Sequence, residues 1–274
     1  MLSYEALIQQ AKIREMPPNK IRGILREYLQ ILILKEIYRK TGGKKLYFTG
    51  GTYLRLAHNI RRFSEDLDFN SEEISGNEFE ELLELIRTEL QRSGFECKTR
   101  FSIRGQIYTA SLIFPKIEEK YNAATQYSKR EGMVIKVETN VPNWDIKKET
   151  QVIVGFGEMF PIVSTDKGAL FADKIDALTK KTRGRHLYDI IFMLSNKHPI
   201  SQRVINALGI KNEPLSLVEE RVESFSKAEL KKQAETLRPF LFDEKEADLI
   251  VNAHAIIPEL ILRYRKETNK SGII

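Results

Sequence analysis

Residues 48–69 read FTGGTYLRLAHNIRRFSEDLDF, and this stretch decides the fold. A short apolar run, Leu46, Tyr47 and Phe48, leads directly into Gly50, Gly51 and Thr52. An amphipathic helix starts there, and a second apolar strand then carries Asp66 and Asp68 on either side of Leu67. Strand side chains alternate between faces, so this spacing turns Asp66 and Asp68 the same way and sends Leu67 and Phe69 toward a core. Two carboxylates side by side repel each other unless a cation lies between them. A divalent ion with oxygen ligands resolves the repulsion, and Mg²⁺ shared between carboxylates and substrate phosphates is the commonest case. Glycines let backbone N–H groups approach an anion closely, and a helix N-terminus favours a phosphate there. Gly-Gly-Thr alone reads as a turn, and Asp-x-Asp alone as a solvated strand end. Together, in a strand–turn–helix–strand frame, they read as one site, with a triphosphate on Gly50, Gly51 and Thr52 and a metal on Asp66 and Asp68.

The flanking sequence predicts strands early and helices late. After Pro17-Pro18, Asn19 is the expected cap of a helix to about Lys40, stopped by Gly42-Gly43. Residues 77–93 repeat apolar side chains at helical spacing (Phe79, Leu82, Leu83, Leu85, Ile86, Leu90) and end at Gly94. Alternating runs at 95–103, 107–115 and 131–139 predict three strands, with Gly105-Gln106 as a hairpin turn. From Thr165 the pattern is helical, at about 166–181 with Ser164, Thr165 or Asp166 as cap, 185–196, 201–208, 215–224, 226–236 and 243–267. This order predicts an α/β (α+β) half followed by an α-helical half, with domains at 1–160 and 161–274.

Composition narrows the function. A chain of 274 residues with 42% hydrophobic content buries a large core in one or two domains. No apolar run approaches the ~20 residues of a membrane span. The N-terminus lacks a basic-then-apolar signal pattern, so a cytoplasmic protein is expected. The single cysteine, Cys97, rules out an intramolecular disulfide and reads as a core residue. His58, His186, His198 and His254 show no metal-ligand spacing, and neither a serine-hydrolase elbow nor a P-loop motif occurs. The formal net charge of +6 suits an anionic partner. Lys180, Lys181, Arg183 and Arg185 cluster behind the 166–181 helix, and Arg61 and Arg62 adjoin the aspartates, whereas Lys231-Lys232 reads as a solvated helix face.

The run from Gly50 to Phe69 resembles the first motif of AbiEii-type nucleotidyltransferase toxins and their MenT relatives, members of the DNA polymerase β-like superfamily. That motif is Gly-Gly-Ser/Thr, a helix, then Arg-Phe-Ser-x-Asp-x-Asp-Phe. A second segment, ALFADKIDALTKKTRGRHLYDIIFML, resembles the family's helical motifs, with Lys174 and Asp189 at the matching positions. His186 stands where many members carry an acidic residue. The resemblance implies a polymerase β-like core with a mixed sheet and a metal-dependent transfer of a nucleotide from a nucleoside triphosphate, using Mg²⁺ or Mn²⁺. It implies that Lys174 contacts the triphosphate and that Asp189 is required for activity. It also implies a third carboxylate on a neighbouring strand, for which Glu138 is the candidate; the other reading makes Glu138 an ordinary strand residue paired with Lys136. The implied acceptor is RNA, at the tRNA acceptor end, contacted by Lys180, Lys181, Arg183 and Arg185, and the implied partner is an antitoxin protein encoded alongside. A transferase that modifies a protein (AMPylation) or a small-molecule hydroxyl is the alternative. A fold that only binds nucleic acid is a third reading, against which the intact Asp66 and Asp68 count.

Overall fold

The computed structural model describes residues 1–124, 132–181 and 183–271, which form two compact units. The first comprises residues 1–142 and 146–165; the second takes residues 143–145 and everything from 166 onward.

The first unit is built on one seven-stranded mixed sheet in the order β3-β4-β5-β2-β1-β7-β6. Its strands are β1 (Tyr47–Thr49), β2 (Leu67–Asn70), β3 (Lys98–Arg104), β4 (Ile107–Phe114), β5 (Met133–Asn140), β6 (Lys148–Gly155) and β7 (Glu158–Thr165). The central strands are short and surrounded by partners: β1 is antiparallel to β2 and parallel to β7, and β2 is parallel to β5. The predicted hairpin exists, with β3 and β4 joined at Gly105, where φ is +61°. Residue 131 of the third predicted run lies outside the described residues. β6 and β7 have no counterpart among the predicted elements. Their hairpin turns at Phe156-Gly157, both with positive φ. The outer face of this hairpin carries Val152, Val154 and Met159, all exposed, so alternation of polar and apolar residues does not mark it.

Helix α1 (Tyr4–Ile13) and helix α2 (Ile21–Arg39) precede the sheet. Ile24, Leu25, Tyr28, Leu29, Ile31, Ile33, Leu34 and Ile37 of α2 are buried. Asn19 does not cap α2. The Lys20 amide bonds the Pro17 carbonyl at 3.0 Å, which leaves Asn19 inside a turn with Lys20 at the cap position. The helix ends at Arg39, ahead of the glycines, which lie in a 3₁₀ turn over Thr41–Lys45. Helix α3 (Gly50–His58) follows β1, and helix α4 (Gly76–Arg92) opens with a capping box of Ser75 and Glu78. Leu85 of α4 points outward and is 54% exposed, unlike the other apolar positions of that repeat. Helix α5 (Ile117–Lys120) is a single turn. Buried Glu27 on α2 takes Arg55 of α3 at 2.9 Å and Arg14, just past α1, at 2.8 Å. One carboxylate thereby fixes the orientation of α3, the helix that begins at the glycine pair.

The second unit is helical: α6 (Lys167–Lys180), α7 (Gly184–Ser195), α8 (Gln202–Ala207), α9 (Pro214–Glu223), α10 (Lys227–Leu237), α11 (Asp248–Val251) and α12 (Ala253–Ser271). Of the offered caps for α6, Asp166 is the one used, its carboxylate accepting from the Ala169 amide at 2.9 Å. The predicted helix over 243–267 is broken into a 3₁₀ turn at Glu244–Ala247, then α11 and α12. Asn252 marks the break, its side-chain amide donating to the Asp248 carbonyl at 2.8 Å in competition with the helix backbone. Trp144 packs on Ala169, Ala172, Val204 and Ile205, which is why residues 143–145 belong to this unit. Cys97, in the first unit, is buried as expected, and burial pushes its thiol pKa up to about 12. Among the described residues no helix is long and apolar enough to cross a membrane.

Candidate active site

In the sheet unit the two halves of the Gly-Gly-Thr…Asp-x-Asp motif meet at the β1–α3 turn. Thr49 of β1 is level with Asp68 of β2. Gly50 follows with φ +80°, and a Cβ there would collide with the Asp68 carboxylate. Only glycine therefore permits both the backbone conformation and the approach of Asp68. Gly51 is less constrained: its φ is ordinary, and a Cβ there would stand 2.7 Å from an Nη of Arg62 and 2.8 Å from the Ser64 hydroxyl, side-chain ends that can give way. The first turn of α3 has no side-chain cap from Thr49, so it keeps the unsatisfied amides that suit an anion. Thr52 differs from expectation. Its side chain is fully buried and its hydroxyl donates to the Asp66 carbonyl, leaving only its backbone amide for a phosphate.

The predicted alternation holds on β2. Leu67 and Phe69 are buried, while Asp66, just ahead of the strand, and Asp68 are partly exposed. The parallel register sets Asp68 beside Glu138 of β5. Glu138 is engaged by β5 and its neighbour β4: its carboxylate ion-pairs with Lys136 of β5 and accepts from the Thr109 hydroxyl of β4 at 3.3 Å. Among the described residues no group of three His, Cys, Asp or Glu side chains is assembled to hold a metal. The donor set is nonetheless cation-seeking. Burial alone would depress the Lys136 ammonium pKa, yet it lies above its ordinary value because the Glu138 hydrogen bond and the charges of Glu138, Asp66 and Asp68 outweigh desolvation. Oxygen-only ligands of this kind fit Mg²⁺ or Mn²⁺ rather than zinc. The sequence alone reads Lys136 only as a partner for Glu138 and Arg62 only as a cation beside the aspartates. The signal for Lys136 is its place two residues before Glu138 on one strand face.

In the helical unit Lys174 of α6 and Asp189 of α7 meet. Their Nζ and Oδ2 atoms are 2.8 Å apart, and both residues are buried, Asp189 completely. His186, one turn before Asp189, has both ring nitrogens buried without a hydrogen-bond partner. Lys180 pairs with Asp176 at 2.7 Å, Lys181 and Arg183 are exposed, and Arg185 is half-buried. Within the predicted cationic cluster Lys180 thus makes an exposed surface ion pair that opens at small cost.

This region sets a pH dependence of stability. Burial, reinforced by the Lys174 charge, lowers the His186 pKa from 6.5 to about 3, and burial followed by Lys167 lowers His198 to about 4. Burial raises Asp173 from 3.8 to about 7, against the pull of Lys174. Between pH 6.5 and about 4 the unfolded chain binds a proton at each of the two histidines that the folded protein does not, whereas the folded protein keeps the Asp173 proton. The net effect is one extra proton on the unfolded state, so stability falls as pH drops below about 6.5. Thermal melting from pH 7 to 5 should show this decline, and His186→Phe should flatten it. An undiminished slope in that variant would mean that His186 titrates in the folded protein.

The family profile described as nucleotidyl transferase AbiEii toxin, type IV TA system, matches residues 32–251. No curated protein matches the chain in sequence. Solved structures share the fold. JHP933 from Helicobacter pylori aligns over 92% of this chain and 97% of its own, with 18% identity and a TM-score of 0.54. A putative nucleotidyltransferase from H. pylori aligns over 89% and 97%, with 17% identity and a TM-score of 0.56. MenT4, a nucleotidyltransferase toxin from Mycobacterium tuberculosis, aligns over 87% of this chain and 72% of its own, with 18% identity and a TM-score of 0.51. The profile spans most of the chain and includes the glycine turn, both aspartates and the Lys174–Asp189 pair, so the chain belongs to the AbiEii nucleotidyltransferase toxin family of type IV toxin–antitoxin systems.

Proposed function

We propose that this nucleotidyltransferase uses a divalent ion, Mg²⁺ or Mn²⁺, to transfer a nucleotide from a nucleoside triphosphate to RNA, at the acceptor end of tRNA. The observation that supports the reading is the approach of Asp68 to Gly50 at the uncapped start of α3, where a bound phosphate and a bound cation would be neighbours. In the reaction an acceptor hydroxyl gives up its proton, for which Glu138 is the candidate base, as its oxygen bonds the α-phosphorus; the bond to the bridging oxygen breaks, and pyrophosphate leaves with the electron pair. The backbone amides of Gly50, Gly51 and Thr52, with the α3 dipole, hold the β- and γ-phosphates so that the α-phosphorus faces the acceptor. Asp66 and Asp68 would hold the metal, with Glu138 as the third carboxylate. When bound, the ion neutralises charge on the phosphoryl oxygens and the leaving group. Lys174 would contribute a cation to the triphosphate, held in place by Asp189.

Support for RNA comes from the net charge of +6 and the exposed Lys181 and Arg183 beside Lys180 and Arg185. The alternative acceptor is a protein or small-molecule hydroxyl, which would need fewer cations than this patch offers, since the exposed Lys180–Asp176 pair opens at small cost. Incubating the protein with Mg²⁺, each labelled triphosphate, total tRNA and cell lysate separates the two. Label migrating with tRNA is the expected result, and label on protein or small molecules would overturn the RNA reading. Replacing Lys180, Lys181, Arg183 and Arg185 with Gln should weaken tRNA binding several-fold. Log affinity should then fall less steeply with log salt, by roughly one unit of slope for each phosphate that the variant no longer neutralises. An unchanged slope would make these residues a solvated helix face. The family also implies an antitoxin partner.

A further inference from the structure

The β2–β5 pair brings a fourth charged group among the carboxylates. Leu67 lies beside Val137 and Asp68 beside Glu138, so one step back along both parallel chains sets Lys136 level with Asp66. Lys136 and Glu138 share a face of β5, and the Lys136 ammonium grips the Glu138 oxygen that also accepts from Thr109. Lys136 thus contacts the Glu138 carboxylate directly and lies within the electrostatic reach of Asp66 and Asp68. Glu138 faces that lysine and is not gathered with Asp66 and Asp68 into a metal-ready group. Lys136 and Glu138 have side chains 41% and 32% exposed, so the pair opens to water at small cost.

We propose that Lys136 is the resident counter-cation of the Asp66–Asp68–Glu138 cluster, occupying Glu138 until a divalent ion displaces it. In the nucleotide-free protein the ammonium offsets the mutual repulsion of the carboxylates and holds Glu138 away from the paired aspartates. A divalent ion carries twice the charge on a smaller radius and so outcompetes the ammonium. Lys136 swings into solvent on its flexible stem, and Glu138 turns toward the ion. Metal binding therefore works against the lysine, and the lysine tunes how much metal the site requires. This inference rests on the metal assignment proposed above.

The test is a titration of the nucleotide-free protein with Mn²⁺, following free Mn²⁺ by its electron paramagnetic resonance signal and the melting temperature in parallel. Lys136→Gln should bind Mn²⁺ about twofold to fivefold tighter than wild type, the range expected for loss of a competing, partly exposed ion pair. Its metal-free form should melt no higher than wild type, and its metal-induced rise in melting temperature should be larger. Adding Glu138→Gln to Lys136→Gln should cancel the gain, because the gain is delivered through the released Glu138. Binding that Asp68→Asn abolishes but Lys136→Gln leaves unchanged or weakens would overturn the counter-cation role alone. Tighter binding that persists in the double variant would also overturn it. No Mn²⁺ binding in any variant would overturn both this role and the metal assignment.

Discussion

Asp68→Asn and Asp66→Asn are each expected to reduce nucleotidyl transfer by roughly a thousandfold or more, while a cooperative melting transition is retained. The size follows from the several kcal/mol of charge stabilisation that a metal site supplies to phosphoryl transfer, at ~1.4 kcal/mol for each tenfold in rate. The fold survives because neither aspartate is part of the core: both are partly exposed, while Leu67 and Phe69 between and behind them carry the packing. Asparagine keeps the shape beside Gly50 and removes the charge, so the backbone approach at the β1–α3 turn is undisturbed. Transfer is read with labelled triphosphate, and folding by circular dichroism on the same samples. Near-normal transfer by Asp68→Asn would show that the cation site lies elsewhere.

The first motif was legible because each of its residues answers to a local rule. Gly50 needs a positive φ and room for a carboxylate, and Asp66, Leu67, Asp68 and Phe69 follow the two-residue period of a strand. The early strands and late helices, and with them the mixed α/β class, were legible for the same reason. Strand order was not. That β1 and β2 lie at the centre, flanked by β7 and β5, depends on pairings between residues far apart in sequence, such as Phe48 with Ser164. The β6–β7 hairpin escaped because Val152, Val154 and Met159 are apolar and yet face solvent. The Lys136–Glu138 pair was among the readings of that strand, but its relation to Asp66 and Asp68 needed the register. The burial of Lys174 escaped as well. A lysine in an amphipathic helix is ordinarily solvated, and nothing local to α6 reveals that a carboxylate on α7 draws it inward.

That burial makes Lys174→Ala the second large-effect substitution, with two separable consequences. Removing the ammonium takes the Lys174 charge away from the fully buried Asp189, and breaking a buried ion pair in this way costs the protein about 3–5 kcal/mol. A loss of activity in Lys174→Ala alone would therefore not distinguish a triphosphate contact from a damaged fold. The double variant Lys174→Met/Asp189→Leu does. Replacing both members of a buried ion pair with apolar side chains of similar size is commonly neutral or stabilising, so most of the stability lost in the single variant should return. Transfer should not return with it. If Lys174 contacts the triphosphate and Asp189 orients it, the double variant should remain down by on the order of a hundredfold, the scale of one charge-stabilising donor. Denaturant unfolding and single-turnover transfer on wild type, single and double variants measure the two quantities independently. Recovery of both would make the pair a device for joining α6 to α7. Recovery of stability alone would place Lys174 among the residues that act on the substrate.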